Sequence, residues 1–420
     1  MNAHTAPSPA SARQAAGLAA LVVALGVSSA LHIGKLPVAI PLLQASLGLT
    51  LLQAGFLLSL VQLAGMSLGL LVGLAADRLG PRRVMMAGLL WLALGSALGA
   101  MAPGVEALLW TRALEGLGFL LAVLPAPALL RQRVKHPPTL ARALGWWGAY
   151  MPLGTALALL LGAPLMALLD WRGLWLLLAA VSLLAAAMLW LRVPPDGRAV
   201  VSSVAQGRAA PLWPRVRCTL KARGPWLVAL AFFLYSGQWL AVVGFLPTIY
   251  NQAGVGGMLL GVLTALAAGI NMLGNIGAGR WLARGTRPGV LLATGYAAMA
   301  LGALVAFGAV GHPVWQYLAV LLFSGVGGLI PGTLFGLALA LAPGQDSVST
   351  TVGWMQQWSS LGQFLGPPAV AWVATQAGGW QWTWVVTGAC SVLGLWLALQ
   401  LQQAWARGKI GVKKSGSDSN

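Results

Sequence analysis

The sequence predicts an all-α membrane protein of twelve transmembrane helices arranged as two six-helix bundles. Three observations carry that prediction: the composition, the placement of charge and a half-length internal repeat. Of the 420 residues, 58% are hydrophobic and only 8% are charged, whereas a soluble protein has roughly a quarter of its residues charged. Such a chain cannot solvate a globular surface. Uncharged apolar stretches of about 18 residues or more are membrane-helix candidates, because about 20 residues at 1.5 Å rise cross a hydrocarbon core of roughly 30 Å.

Taken in order, such stretches cover 17–43, 51–75, 84–102, 107–130, 140–168 and 171–191, then 226–250, 257–279, 288–309, 313–341, 348–375 and 380–404. A tail (1–16) precedes the first half (17–191). A polar central loop (192–225) joins it to the second half (226–404), and a second tail (405–420) follows. The apolar run after Arg13 exceeds the 7 to 15 residues of a typical signal-peptide core, so it reads as an uncleaved helix. The 55 glycines and 24 prolines would disrupt soluble helices. Membrane helices tolerate both, and small residues let their backbones approach closely.

The formal charge of +18 raises nucleic acid as a partner, but its distribution points elsewhere. With the N-terminus inside and the spans alternating, all of the 25 Lys and Arg fall on the inner side except Lys35, Arg112 and Arg172. That is the positive-inside pattern, with both termini cytoplasmic in a bacterial-type inner membrane. No aromatic-studded basic face supports nucleic-acid binding. Cys218 and Cys390 lie on different elements, so no structural disulfide is expected. His4, His32, His136 and His312 are widely separated, and neither a phosphate loop nor an H-E-x-x-H motif is present. No metal, cofactor or enzymatic activity is expected.

The second half repeats the first at a shift of 206 to 209. Pro41 pairs with Pro247, Gly55 with Gly261, Gly116 and Gly118 with Gly325 and Gly327, Gly145-Trp146 with Gly353-Trp354, Gly154 with Gly362, and Trp175 with Trp384. Two parallel six-helix repeats imply bundles that face one another across a cavity and expose it to alternate sides by rocking.

Gly73-Leu-Ala-Ala-Asp77-Arg78-Leu-Gly80-Pro-Arg82-Arg83 resembles the signature loop of the major facilitator superfamily, and with the span count and the repeat the resemblance covers nearly the whole chain. It implies a conformational gate formed by Gly73, Asp77, Arg78, Gly80, Arg82 and Arg83. Asp77 would latch against the start of the eleventh helix, where a helix N-terminus attracts negative charge. The alternative is a topology-setting loop with a local Asp-Arg pair. The second-half loop from Arg280 to Arg287 has no acid, so the latch would be one-sided. Leu108 to Gly118 resembles a second superfamily pattern in the fourth helix, with Glu115 where glutamine is frequent. Gly154, Gly162 and Pro164 are similar in part to the motif of drug/proton antiporters, and the HIGKLP segment is similar to cyanate/nitroimidazole permeases and small-anion permeases.

Charged residues inside spans are costly and face an interior, a cavity or one another. From the helix middles, His32 and Lys35 stand about 3 and 7.5 Å toward the outer side, and Glu115 and Arg112 about 4.5 and 9 Å, at 1.5 Å per residue. All four share one layer. The superfamily resemblance implies that the helices carrying them line the cavity. His32, Lys35 and Arg112 are then substrate-binding candidates for a small anion, with Tyr235, Gln238 and Gln357 from the second half. Proton coupling needs a group that changes charge during the cycle. Glu115, the sole acid inside a span, is the first candidate and His32 the second. The plainer alternatives are a permanent Arg112–Glu115 pair at i, i+3 and a Lys35 that snorkels to the outer interface. Asn271 and Asn275 read as helix-to-helix hydrogen-bonding groups, and most tryptophans as packing or interface residues.

The sequence therefore points to a monomeric secondary transporter with a small-molecule substrate, protons and the lipid bilayer as its partners. A proton-coupled symporter of an organic or inorganic anion leads. A proton-coupled multidrug efflux antiporter is the alternative, and a membrane-embedded enzyme or other non-transport protein is remote.

Overall fold

The computed structural model describes residues 9–196, 212–309, 311–344 and 347–417. Helices make up nearly all of these residues, which contain no strand. The first half comprises α1 (Pro9–Leu47), α2 (Leu51–Leu60), α3 (Leu63–Leu79), α4 (Pro81–Ala100), α5 (Val105–Val123), α6 (Ala126–Arg133), α7 (Pro137–Trp147) and α8 (Tyr150–Arg192). The short α9 (Leu212–Lys221) lies within the central loop. The second half comprises α10 (Arg223–Gln252), α11 (Gly257–Gly269), α12 (Asn271–Ala283), α13 (Pro288–Gly308), α14 (Pro313–Gly327), α15 (Leu329–Ala340), α16 (Val348–Gln376) and α17 (Thr383–Ser417).

Ten helices among the described residues are long and apolar enough to cross a membrane, where the sequence suggests twelve. Two local features account for the difference. The stretches 140–168 and 171–191 meet in α8, whose direction changes at Asp170, with φ at 61°. The Asp170 carboxylate accepts the Trp171 N–H at 2.5 Å, satisfying a donor that the turn frees. α16 is 29 residues long, but Thr350, Thr351, Gln356, Gln357, Ser359, Ser360 and Gln363 dilute its apolarity.

The repeat seen in the sequence recurs as packing. A methyl group at Gly154 would sit 2.6 Å from the Val27 carbonyl, bringing α8 directly onto α1. One at its counterpart Gly362 would strike the Phe233 carbonyl on α10. Gly116 closes on Val61 and Gly325 on Ile270, and Val61 and Ile270 are themselves repeat partners. At Gly154, Gly362 and Gly116 a Cβ would overlap its neighbours, and at Gly325 it would press on the branched Ile270 side chain at 3.2 Å.

The halves meet along α3 and α16, where Gly353 lies against Leu70 and Gly65 against Ser360, and at the end remote from the termini. There Leu58 lies against Gly244, Gly55 against Pro367 and Pro368, and Gly261 against Leu159 and Leu160. α5, α7, the start of α8, α10, α12, α15 and α16 surround a central cavity between the halves. Its position between the halves is what makes it the candidate substrate site.

Candidate functional site

The cavity has a volume of about 140 Å³. Its walls carry seven aromatic side chains: Phe119, Trp147 and Tyr150 from the first half, and Phe232, Tyr235, Trp239 and Phe335 from the second. Trp147 and Tyr150 stack at 4.5 Å, presenting a continuous flat surface. The polar lining is neutral, made of amides and hydroxyls such as Gln62, Asn271, Asn275, Gln356, Ser359 and Gln363. No charged residue is among the described lining residues.

A hydrogen-bonded chain orients one wall. Asn271 Nδ2 donates to the Tyr235 hydroxyl at 2.9 Å and to the Ser324 carbonyl at 2.8 Å. Asn275 Nδ2 donates to Asn271 Oδ1 at 2.9 Å, and Trp239 Nε1 to Ser324 Oγ at 3.1 Å. Asn271 thus joins helices, as its residue type suggests, whereas Asn275 bonds to Asn271 within the same helix, and both face the cavity. Gln62 Nε2 donates to Gln363 Oε1 at 3.0 Å across the two halves. Both residues line the cavity, so the contact that joins the halves also forms part of its wall.

The four charged or titratable groups predicted to share a layer do meet, inside the first half. The Lys35 ammonium pairs with Glu115 Oε1 and donates to Ser96 Oγ at 2.9 Å. It also lies 4.3 Å from the centre of the Trp175 ring. Arg112 donates to Glu115 Oε2 at 2.6 Å, to the His32 carbonyl at 2.7 Å and to the Leu57 carbonyl at 3.1 Å. His32 Nε2 is 2.9 Å from Ser182 Oγ. Carbonyl oxygens and the ring face share the positive charge that one carboxylate does not balance.

This cluster faces the interior of its own half, and none of its four members lines the cavity. Lys35 is fully buried (0% exposed), so the snorkelling alternative does not describe this conformation. The stem points between α4, α5 and α8 instead of along α1 toward the interface. Of the second-half candidates, Tyr235 lines the cavity. Gln238 does not; its side-chain Oε1 accepts from Ser391 Oγ at 3.1 Å within the second half. Gln357 Nε2 donates to the Met66 carbonyl at 2.7 Å across the halves.

The Asp77 side chain lies outside the described ones, and Arg78 is exposed. A methyl at Gly73 would meet nothing within 4 Å. Gly80 takes φ 94°, and the Asp196 carboxylate occupies the place a Cβ would need. Asp196 Oδ2 accepts the Arg83 N–H at 3.2 Å, capping the first turn of α4. Arg133 Nη2 lies 3.7 Å from Asp196 Oδ1 and donates to the Pro194 and Pro195 carbonyls at 2.9 and 2.8 Å. Arg82 donates to the Trp190 carbonyl at 2.9 Å. The basic loop is thus clamped to the end of α8 in its own half.

The sequence profile of the Major Facilitator Superfamily matches residues 16–367, which takes in the first half, the central loop and the second half as far as α16. The chain belongs to the Major Facilitator Superfamily. It is a multi-pass membrane protein of this transporter superfamily. Puromycin resistance protein pur8 of Streptomyces alboniger is 37% identical over 162 residues, covering 38% of this chain and 32% of that protein. The chain thus spans about a third of that relative. The hexuronate transporter of Bacillus subtilis is 21% identical over 388 residues, covering 87% of this chain and 90% of that protein. A bacterial homolog of the human lysosomal transporter Spinster, solved inward-facing and occupied, has the same fold. Its TM-score is 0.76 at 15% identity, over 93% of this chain and 97% of that one.

Within this superfamily fold, sequence reasoning missed Asp196, Ser96, Ser182 and most of the aromatic wall. One signal was available for Ser182. It pairs with Ser391 at the repeat spacing, as His32 does with Gln238. Phe119, Phe232 and Phe335 carried none, since a phenylalanine in an apolar span is indistinguishable from packing until its neighbours are known.

Proposed function

We propose that the chain is a secondary active transporter of twelve membrane-spanning helices, six in 17–191 and six in 226–404. It moves an organic solute by alternating access. Both termini face the cytoplasm of a bacterial-type inner membrane. This orientation is supported by the placement of Lys and Arg on the loops of the terminus side. In the conformation described, the outer end is then closed by Leu58, Gly244, Pro367 and Pro368.

The single observation that carries the substrate class is the cavity wall, aromatic and neutral among the described residues. Such a wall favours a flat or amphipathic organic solute, held by ring stacking and oriented by Tyr235, Asn271, Gln356 and Gln363. This is the chemistry of the efflux alternative. The Glu115 cluster, set apart from the cavity, is the proposed proton site: Glu115 is its one carboxylate, and three groups on other elements or turns hold it. Proton and solute would then occupy separate places and communicate through movement of the first half. Binding roles for His32, Lys35 and Arg112 would require those groups to turn toward the cavity in another conformation.

A small-anion symporter is the second reading, favoured by the likeness to the hexuronate transporter along 90% of its length. Uptake and efflux assays in inverted and right-side-out vesicles separate the two. Proton-driven movement of aromatic dyes or antibiotics supports the first reading. Movement of sugar acids or other carboxylates, with none of the dyes, would sink it. Unchanged pH dependence of transport in Glu115→Gln would remove the proton-site assignment alone.

A further inference from the structure

On the outside of the second half, α12, α13, α14 and α15 leave an apolar groove between them. Leu273 and Leu322, 66% and 37% exposed, stand on its rim beside Ile270, Leu291 and Leu329. Gly274 packs directly on the Gly325 carbonyl, so the groove floor is close to bare backbone. At its terminus-side end the lining changes to Trp281 and Thr286. The turn carrying Thr286 is folded by hydrogen bonds from Arg284 N to Arg280 O and from Thr286 N to Trp281 O. It holds Arg280, Arg284 and Arg287, all exposed.

The two halves treat this loop differently. In the first half, Arg82 and Arg133 are bonded to backbone carbonyls, and Asp77 and Asp196 supply negative charge. The second-half loop contains no acid, and among the described residues its three arginines have no ion pair. An unneutralised cationic turn therefore caps an apolar trough that faces hydrocarbon. We propose that this groove binds an anionic phospholipid. One acyl chain lies along Leu273, Leu322 and Gly325, and the phosphate-bearing headgroup rests against Arg284, Arg287 and Thr286. Basic residues at the membrane surface attract anionic headgroups, while the trough replaces contact with disordered lipid by contact with a fixed wall.

Native mass spectrometry of the full chain, released from nanodiscs of mixed palmitoyl-oleoyl phosphatidylglycerol and phosphatidylcholine, tests the site. The wild type retains phosphatidylglycerol in preference to phosphatidylcholine. The triple variant Arg280→Gln, Arg284→Gln, Arg287→Gln, altered only at exposed positions, loses retention on the order of tenfold or more. Thr294→Trp, which fills the groove from an exposed position on α13, loses it with all three arginines intact. Equal retention of both lipids by the wild type, or unchanged retention in the triple variant, overturns the proposal. So does a thermal stabilisation by inorganic phosphate as large as that given by phosphatidylglycerol. If Thr294→Trp does not fold, the triple variant decides the outcome.

Discussion

Lys35 and Glu115 form an ion pair between α1 and α5 at 0% and 1% side-chain exposure. The carboxylate also serves Arg112 at 2.6 Å, so its removal strands two cations and removal of the lysine strands none. Breaking a buried pair by deleting one partner costs about 3–5 kcal/mol where it leaves charge uncompensated. Glu115→Gln is expected to approach that loss, and Lys35→Met to cost about 1–3 kcal/mol, because Ser96 and part of the carboxylate keep other partners. Melting curves of the purified variants check the order. Equal losses would mean that Arg112 does not depend on Glu115.

The height of this cluster was legible in the sequence, and its direction was not. Counting 1.5 Å per residue placed His32, Lys35, Arg112 and Glu115 in one layer, where they meet. Which side of α1 and α5 faces a partner depends on packing that no residue count supplies. Lys35 turns inward because Ser96 and Trp175, on elements far away in sequence, provide a hydroxyl and a ring face there. The glycine matches of the repeat were legible as packing because a missing side chain has one consequence, close approach. The aromatic wall was hidden because a ring in a membrane span serves lipid, core or cavity equally well.

Solute affinity is expected to follow the aromatic wall. Phe335→Ala and Phe232→Ala each remove a ring facing the cavity, and an aromatic contact contributes about 0.5–1.5 kcal/mol beyond burial. Titration of an aromatic solute that binds the wild type is therefore expected to show dissociation constants raised up to about tenfold. Lys35→Met is expected to leave that constant within about twofold, since Lys35 is outside the lining. A larger effect of Lys35→Met than of either phenylalanine would place the solute at the charged cluster.

The remote ends of α2 and α10 must separate if the cavity opens to the other side. Leu58 packs against Gly244 in this conformation, with the position of a Gly244 methyl 3.0 Å from Leu58 Cδ1. Leu58→Cys with Gly244→Cys, joined by a short thiol-reactive crosslinker, is expected to abolish transport while solute binding from the terminus side persists. Reduction of a cleavable linker restores transport. Full transport by the crosslinked protein would exclude separation at this point.

Glycines at helix contacts and glycines facing open space predict opposite outcomes for one methyl group. At Gly362 the added carbon meets the Phe233 carbonyl, and at Gly366 it meets Gly237, so α16 cannot retain its distance from α10. At Gly73 and Gly145 nothing lies within 4 Å. Overpacking a close contact costs about 1–3 kcal/mol, while Gly→Ala in an exposed helix interior is stabilising by about 1 kcal/mol. Gly362→Ala is therefore expected to lower the melting temperature, and Gly145→Ala to leave it unchanged or raise it. Because Gly362 repeats Gly154, Gly154→Ala is expected to lower it too, through Val27 and Ala30 on α1. A destabilised Gly362→Ala beside an unaffected Gly154→Ala would mean that only the second half depends on this close approach.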